Sequence, residues 1–310
     1  MSSIKQSFTD EKYTPPSSPF PVLRRDGTER NKVVGGTLYL VATPIGNLDD
    51  LSFRAVKVLS EVDFIAAEDT RNSAKLLAVL GIGKPMVSYF EHNKRERGEQ
   101  ILTRLRAGES CALITDAGTP AISDPGENLV AQCIAESIPV TAIPGCCAGI
   151  NALVLSGLST GRFCFEGFLS VNKAERRSRL SELRTETRTM LFHEAPHKLR
   201  ATLQDLQDSF GPDRRITLCR EMTKRNEEII RTTLSGAIAL YQNSDPRGEY
   251  VLVLEGGSPE ECQEKPFWEE MDIPAHVNHY LQSGMSKNDA IKATAHDRGV
   301  PKNEIYQKML

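Results

Sequence analysis

The sequence predicts an α/β fold: two α/β domains in succession, followed by a small C-terminal helical module with helix-turn-helix-like spacing. Three observations carry this. Short apolar runs alternate with helical stretches from Thr37 to Ile143, the pattern of a parallel sheet wrapped by helices. The alternation resumes near Arg162 and closes with Tyr250–Leu254, just before Gly256 and Gly257. In the first stretch the apolar runs end in Pro44-Ile-Gly-Asn, Glu68-Asp-Thr-Arg, Glu91-His-Asn, Asp116-Ala-Gly-Thr-Pro and Pro144-Gly-Cys-Cys. Polar and turn-forming residues therefore collect along the carboxyl edge of a parallel sheet, where open α/β sheets bind ligands.

Residues up to Gly36 are rich in proline and serine without periodicity and read as a disordered tail, 1–36. The first domain, 37–158, opens with a strand over Leu38–Ala42 and a helix from Asp50 or Ser52 to Ser60, its apolar face formed by Phe53, Val56, Val58 and Leu59. Phe64–Ala67 is a strand and Ala74–Leu80 a helix stopped by Gly81. Met86–Tyr89 is a strand, and a charged helix runs to Ala107. The buried strand around Ala112–Ile114, a helix over Glu127–Glu136 and a strand over Val140–Ile143 complete the domain.

The second domain, 159–257, begins with a glycine-interrupted strand from Phe163 to Leu169. A helix follows over Lys173–Thr185, then a strand over Thr189–Phe192, a helix over Pro196–Phe210 and strands over Ile216–Cys219 and Tyr250–Leu254. A linker over Ser258–Lys265 leads to the module 266–310, with helices over Ala275–Gln282, Lys287–His296 and Lys302–Met309. The last two are joined through Gly299-Val-Pro301 with the spacing of a helix-turn-helix, which a small capping bundle shares.

Composition narrows the function. The chain has 310 residues, 39% hydrophobic and 25% charged, with net charge −3, so any nucleic-acid site must be a local basic patch. Seven cysteines without Cys-x-x-Cys spacing fit a reducing cytosol, and a cytoplasmic location is expected. No apolar run approaches the roughly 20 residues of a membrane span, and no signal-peptide core is seen. Gly-x-Gly-x-x-Gly and Walker-type phosphate loops are absent.

Four clusters invite chemistry. His193-Glu-Ala-Pro-His197 matches H-E-x-x-H literally, but an apolar strand runs into His193 and Pro196 suits a helix start, so the histidines fall on different elements and no metal is expected. Glu68, Asp69 and Arg71 read as a polar floor for a substrate hydroxyl or as a helix cap, and the two are compatible. His92 is a possible proton acceptor. Lys173, Arg176, Arg177 and Arg179 form a basic helix that contacts RNA only if it flanks the cleft, and is otherwise a solvated face. Gly118 and Gly126 are expected to let a ligand approach the backbone.

Several of these stretches together are specific. Gly36-Thr-Leu-Tyr-Leu-Val-Ala-Thr-Pro-Ile-Gly-Asn-Leu, Ala67-Glu-Asp-Thr-Arg, Tyr89-Phe-Glu-His-Asn, Asp116-Ala-Gly-Thr-Pro-Ala-Ile-Ser-Asp-Pro-Gly, Arg162-Phe-Cys-Phe-Glu-Gly-Phe-Leu and Arg247-Gly-Glu-Tyr-Val-Leu-Val-Leu-Glu-Gly resemble the ribosomal RNA small-subunit methyltransferase I family, a tetrapyrrole-methylase-like group. The resemblance covers Gly36 to the C-terminus. It implies a cleft between the two α/β domains that binds S-adenosyl-L-methionine, 2′-O-methylation of a cytidine ribose in small-subunit (16S) ribosomal RNA, and a homodimer. Carried over, the cofactor residues are Pro44, Gly46, Asp116, Ala117, Gly118, Thr119, Ile122, Cys147 and Ala148, with Phe192, Glu194 and Cys219 from the second domain. Glu68, Asp69, Arg71 and His92 are the catalytic candidates.

Two stretches depart from the family pattern: Pro144-Gly-Cys-Cys-Ala148 stands where it has Pro-Gly-Pro-Ser-Ala, and His193-Glu-Ala-Pro-His197 where it has Tyr-Glu-Ser-Pro-His. The alternatives are a same-fold methyltransferase acting on a tetrapyrrole or protein side chain, and a ribosome-binding factor that holds the cofactor without turnover.

Overall fold

Residue parity decides how the first sheet is built. In the parallel strands β1 (Leu38–Val41), β2 (Phe64–Ala67) and β4 (Cys111–Ile114), alternate side chains enter two separate cores. Tyr39, Val41, Ile65 and Ile114 pack beneath α1 (Phe53–Glu61) and α2 (Thr70–Val79), whereas Leu38, Phe64, Cys111 and Leu113 meet α3 (Lys94–Arg106) and α4 (Gly126–Ala135). Every residue of β2 and β4 is buried, which is why both read as unbroken apolar runs. Each fully buried large side chain, such as Phe64 or Leu129, contributes about 2 kcal/mol. With β3 (Met86–Ser88) and β5 (Val140–Ile143) at the edges, the order is β3-β2-β4-β1-β5, all parallel. The computed structural model describes residues 31–258 and 267–309. The expected tail up to residue 30 and the expected linker from residue 259 lie outside them.

The helix α5 (Ala148–Ser156) follows β5 directly but covers the second sheet. Its Ala152 and Leu153 pack on Leu191, Cys219, Val251 and Val253, with Ile45 of the β1–α1 loop against the same cluster. The second sheet has the order β6-β7-β10-β8-β9, from β6 (Phe163–Phe168), β7 (Thr189–Glu194), β8 (Arg215–Arg220), β9 (Glu228–Thr233) and β10 (Tyr250–Leu254). Only the β6–β7 pair is parallel. Its opposite face, with Met190, Phe192, Leu218 and Leu252, is covered by α6 (Lys173–Glu182), α7 (Leu199–Phe210) and α8 (Leu234–Leu240).

Several expected boundaries shift. Order reaches back before Thr37: the Val34 amide donates to the Tyr39 hydroxyl at 2.8 Å and Gly36 N to the Gly108 carbonyl at 3.0 Å. Ser52 caps α1, but Phe53 is 47% exposed and lies outside the apolar face expected for it. α2 begins earlier than its apolar pattern, because Asp69 caps it. α5, β9 and α8 were not expected from periodicity.

The described residues up to Gly256 form one compact unit, and those from Gly257 a second. In the second, α9 (Ile273–Gln282), α10 (Lys287–Asp297) and α11 (Lys302–Gln307) close around Val277, Ile291 and Ile305. Gly299 turns between the last two at φ +63°.

Candidate functional site

Three loops at the carboxyl edge of the first sheet are tied into one rim. Thr43, just past β1, exchanges two backbone hydrogen bonds with Gly118, at 2.9 and 3.0 Å, and its hydroxyl donates to the Thr115 carbonyl at 3.1 Å. The Thr119 hydroxyl donates to the Cys146 carbonyl at 2.8 Å, joining the β4–α4 loop to the β5–α5 loop. Gly118 sits at φ +86°, where a branched residue is strained, and an added Cβ would lie 3.6 Å from Ile45 and 3.7 Å from the Cys146 carbonyl. Gly126 has a different reason. An added Cβ there would lie 2.6 Å from Asp124 and 2.9 Å from Leu113, so that glycine serves packing at the start of α4, not the ligand approach expected of it.

The carboxylates of the rim sit in contrasting surroundings. Glu68 Oε2 accepts from the Thr115 hydroxyl at 2.6 Å and from the Asp116 amide at 3.4 Å. Asp116 Oδ2 accepts from Asn72 Nδ2 at 3.2 Å, whereas Oδ1 is buried without a partner. Burial pushes the Asp116 carboxyl up, and Glu68 and Asp69 add to it against the Asn72 hydrogen bond. Asp69 is held low by hydrogen bonds from Arg71, whose side chain is 88% exposed. Behind the rim, the half-buried Asp124 carboxylate accepts from the Ala121 and Gly126 amides at 2.9 and 2.7 Å. It holds a loop in which Ala121 and Ser123 both have positive φ, 68° and 61°.

From the second sheet, the β8–β9 turn reaches the same rim. A Cβ on Gly46 would lie 2.4 Å from Lys224 and 3.3 Å from the Met222 carbonyl, so protein fills the space beside that glycine. Glu221 and Thr223 in this turn also have positive φ, and Lys224 Nζ donates to Glu221 and Glu249, both at 2.9 Å. Neither this turn nor the role of Asn72 was apparent in the sequence, since only the fold brings them to the rim.

The expected site residues separate accordingly. Pro44, Asp116, Gly118, Thr119, Cys147 and Ala148 lie on or beside the joined loops, with Ala117 and Ile122 exposed on them. His92 is exposed beyond β3, its ring against Phe90 at 6.1 Å rather than against the carboxylates. Cys219 faces α5. Phe192 and Glu194 face the other way: alternation along β7 sends Phe192 into the core under α6 and α7, and buried Glu194 accepts from the Thr202 hydroxyl. Arg176 is buried too, pairing with Asp205 at 2.6 Å and donating to Thr202 at 2.9 Å, and Arg179 is held by Glu166 and Glu182. The basic helix is therefore not the continuous RNA face its composition allowed; Lys173 and Arg177 remain outward. His193 lies on β7 and His197 in the turn before α7, on different elements.

The rim suits S-adenosylmethionine on one observation of its own: a buried, unpartnered carboxylate oxygen on Asp116, two residues before the positive-φ Gly118, can accept hydrogen bonds from a polar ligand.

Comparison with known proteins agrees with this architecture. The model of the Tetrapyrrole (Corrin/Porphyrin) Methylases matches residues 37–238. The chain is 46% identical over 271 residues to the ribosomal RNA small subunit methyltransferase I of Halalkalibacterium halodurans, covering 87% of this chain and 93% of that one. It is 44% identical over 286 residues to its Bacillus subtilis namesake, covering 92% and 98%. The fold resembles a cobalt precorrin-4 methyltransferase, with TM-score 0.53 and 17% identity over 74% of this chain and 97% of that one. It also resembles uroporphyrin-III-C-methyltransferase from Thermus thermophilus, with TM-score 0.51 and 18% identity over 71% and 94%.

Proposed function

The chain belongs to the tetrapyrrole methylases, in the branch of the ribosomal RNA small subunit methyltransferases I, and from that membership we propose that it methylates small-subunit ribosomal RNA at the 2′-hydroxyl of a cytidine ribose, using S-adenosylmethionine. The observation that carries this reading is identity of about 45% to curated relatives of that name over nearly the whole chain.

Bound S-adenosylmethionine supplies a methyl group on a sulfonium centre, ready for in-line displacement. The chain's own work is positioning. Pro44, Asp116, Ala117, Gly118, Thr119, Ile122, Cys147 and Ala148 hold the donor, with Asp116 Oδ1 and the loop backbone as its polar partners. The pairing of Thr43 with Gly118 and the Thr119–Cys146 hydrogen bond fix the loops before the ligand arrives. A ribose hydroxyl is a weak acid, so an acceptor helps as its proton leaves. Glu68 and Asp69 stand on the rim for this, with Asp69 kept ionised by Arg71. The exposed Arg71 guanidinium suits a neighbouring phosphate.

A cytoplasmic location and a homodimer belong to the same reading. Exposed Ile150 and Val154 on α5 form an apolar strip that a second copy can cover. No helix among the described residues is long and apolar enough to cross a membrane.

The test is transfer of labelled methyl from S-adenosylmethionine to small ribosomal subunits, followed by nucleoside analysis. Label in 2′-O-methylcytidine is expected. Label on a base, on ribosomal protein or on a tetrapyrrole would replace this reading with a sister activity, and cofactor binding without transfer would make the chain a binding factor.

A further inference from the structure

The β6 strand contains a device that the rim does not use. Pairing between β6 and β7 runs Phe163–Thr189, Cys164–Met190 and Phe165–Leu191, then shifts, so that Gly167 opposes Phe192 and Phe168 opposes His193. In a regular strand, residues 165 and 168 face opposite sides, because side chains alternate. The bulge, at Gly167 with φ +62°, places both rings on one face. They flank His193 edge-on, with centroids 5.3 and 5.4 Å from the imidazole and interplanar angles of 88° and 83°. Glu166, on the opposite side, is anchored by Arg179.

This aromatic group borders the loops of the rim. A Cβ on Gly149, at the start of α5, would lie 3.4 Å from the Phe165 ring, and one on Gly167 would lie 3.2 Å from the Ser123 hydroxyl of the β4–α4 loop. Phe168 is 62% exposed and Phe165 38%, although each is a large apolar ring. Between them, His193 Nε2 is buried without a partner. A core contact would leave neither two rings open nor a polar atom unsatisfied between them. Both are expected of a surface that takes a planar, hydrogen-bonding ligand.

We propose that Phe165, Phe168 and His193 form a shelf that receives the unstacked base of the target nucleotide, with the Phe168 ring as its stacking face and His193 Nε2 bonding the base edge. The inference rests on the RNA-methylation reading and adds where the base goes. Single-stranded or flipped-out bases are recognised by aromatic stacking together with hydrogen bonds to their edges. A nucleotide held this way lies next to the rim, which the shelf adjoins at Gly149 and Ser123. Burial lowers the His193 pKa, against an opposing pull from Glu249, so the imidazole stays neutral and offers either a donor or an acceptor at Nε2.

The experiment compares wild type with Phe168→Ala, Phe168→Tyr, His193→Phe and His193→Gln in methyl transfer to small subunits, alongside calorimetry with S-adenosylmethionine alone. Phe168→Ala should lower kcat/KM for the subunits about 10- to 100-fold, the loss of one stacking partner. Phe168→Tyr should retain most of it. His193→Phe should lose at least about fivefold, and His193→Gln should recover part of that. Cofactor affinity should stay unchanged throughout. Because Phe168 is exposed, its truncation is tolerated by the fold. If wild type is active and Phe168→Ala and His193→Phe equal it, the shelf is overturned while the methyltransferase reading stands. If these variants lose cofactor affinity in step with activity, the rings hold the donor's adenine and the proposal is likewise overturned. A wild-type protein inactive on subunits overturns the reading and the shelf with it.

Discussion

The two sheets of the first unit both have five strands covered by helices, yet they offer chemistry in different places. In the parallel first sheet, all strands point the same way, so their loops gather at one edge, and Thr43, Asp116, Gly118 and Thr119 meet there. The second sheet is mostly antiparallel, so its loops divide between both edges, and it reaches the rim with a face and a turn: the bulged β6, His193 on β7, and the strained Glu221–Lys224 turn. Parallel order concentrates backbone and loop chemistry suited to a small polar donor. The antiparallel sheet offers flat aromatic surface suited to a base.

That division predicts a ranking of effects. The largest is expected at Gly118. Valine there meets a φ of +86°, a strain of about 1–3 kcal/mol, and puts a branched side chain beside Ile45 and Cys146. Cofactor affinity should fall about 100-fold with the fold retained, as read by calorimetry and circular dichroism; unchanged affinity would remove the donor from this loop.

The next effect belongs to the second sheet and concerns stability alone. Arg176→Ala leaves buried Thr202 and half-exposed Asp205 with one partner fewer each, and should lower unfolding free energy by about 2 kcal/mol in urea titration. Subunit binding and its salt slope should not change. A flattened slope would return Arg176 to an RNA-binding face.

Asp116→Asn should separate function from stability. Burial raises the Asp116 pKa above its ordinary 3.8, so its favourable contribution to folding is complete below that value and is lost as pH rises through the folded value. Above that folded value the ionised carboxylate destabilises the ligand-free protein. Asparagine, which cannot ionise, should raise the neutral-pH melting temperature and lower cofactor affinity about tenfold. A lower melting temperature would contradict the burial argument.

The smallest effect is expected on the basic helix, where Arg177 remains outward after Arg176 and Arg179 are accounted for. Arg177→Glu should weaken subunit binding about twofold and reduce the salt slope by about one, if that side chain meets a phosphate. An unaltered slope would make it a solvated face.

Much of the first sheet is legible in the sequence because buried parallel strands are uninterrupted apolar runs and their ends carry turn residues. Phe64–Ala67 and Val140–Ile143 are found at their expected bounds. The second sheet hides more. Phe192 and Glu194 lie on β7, but which face they take depends on strand parity against α6 and α7, which no motif encodes. Gly167 is visible as an interruption, whereas its consequence, two phenylalanines three residues apart on one face, depends on register with β7. α5 escapes because its apolar residues cover nearly its whole circumference, leaving no amphipathic period to read. Arg176 illustrates the same gap: a charge run gives composition, and only packing shows which member turns inward.

The proposed division of labour puts the donor on the first sheet's rim and the base on the second sheet's face. It is tested most directly by measuring S-adenosylmethionine affinity and methyl transfer to small subunits for Gly118→Val and Phe168→Ala side by side. Gly118→Val should lose cofactor affinity and transfer together, while Phe168→Ala should keep wild-type cofactor affinity and lose transfer through the subunit. Cofactor affinity lost in Phe168→Ala and kept in Gly118→Val would contradict it.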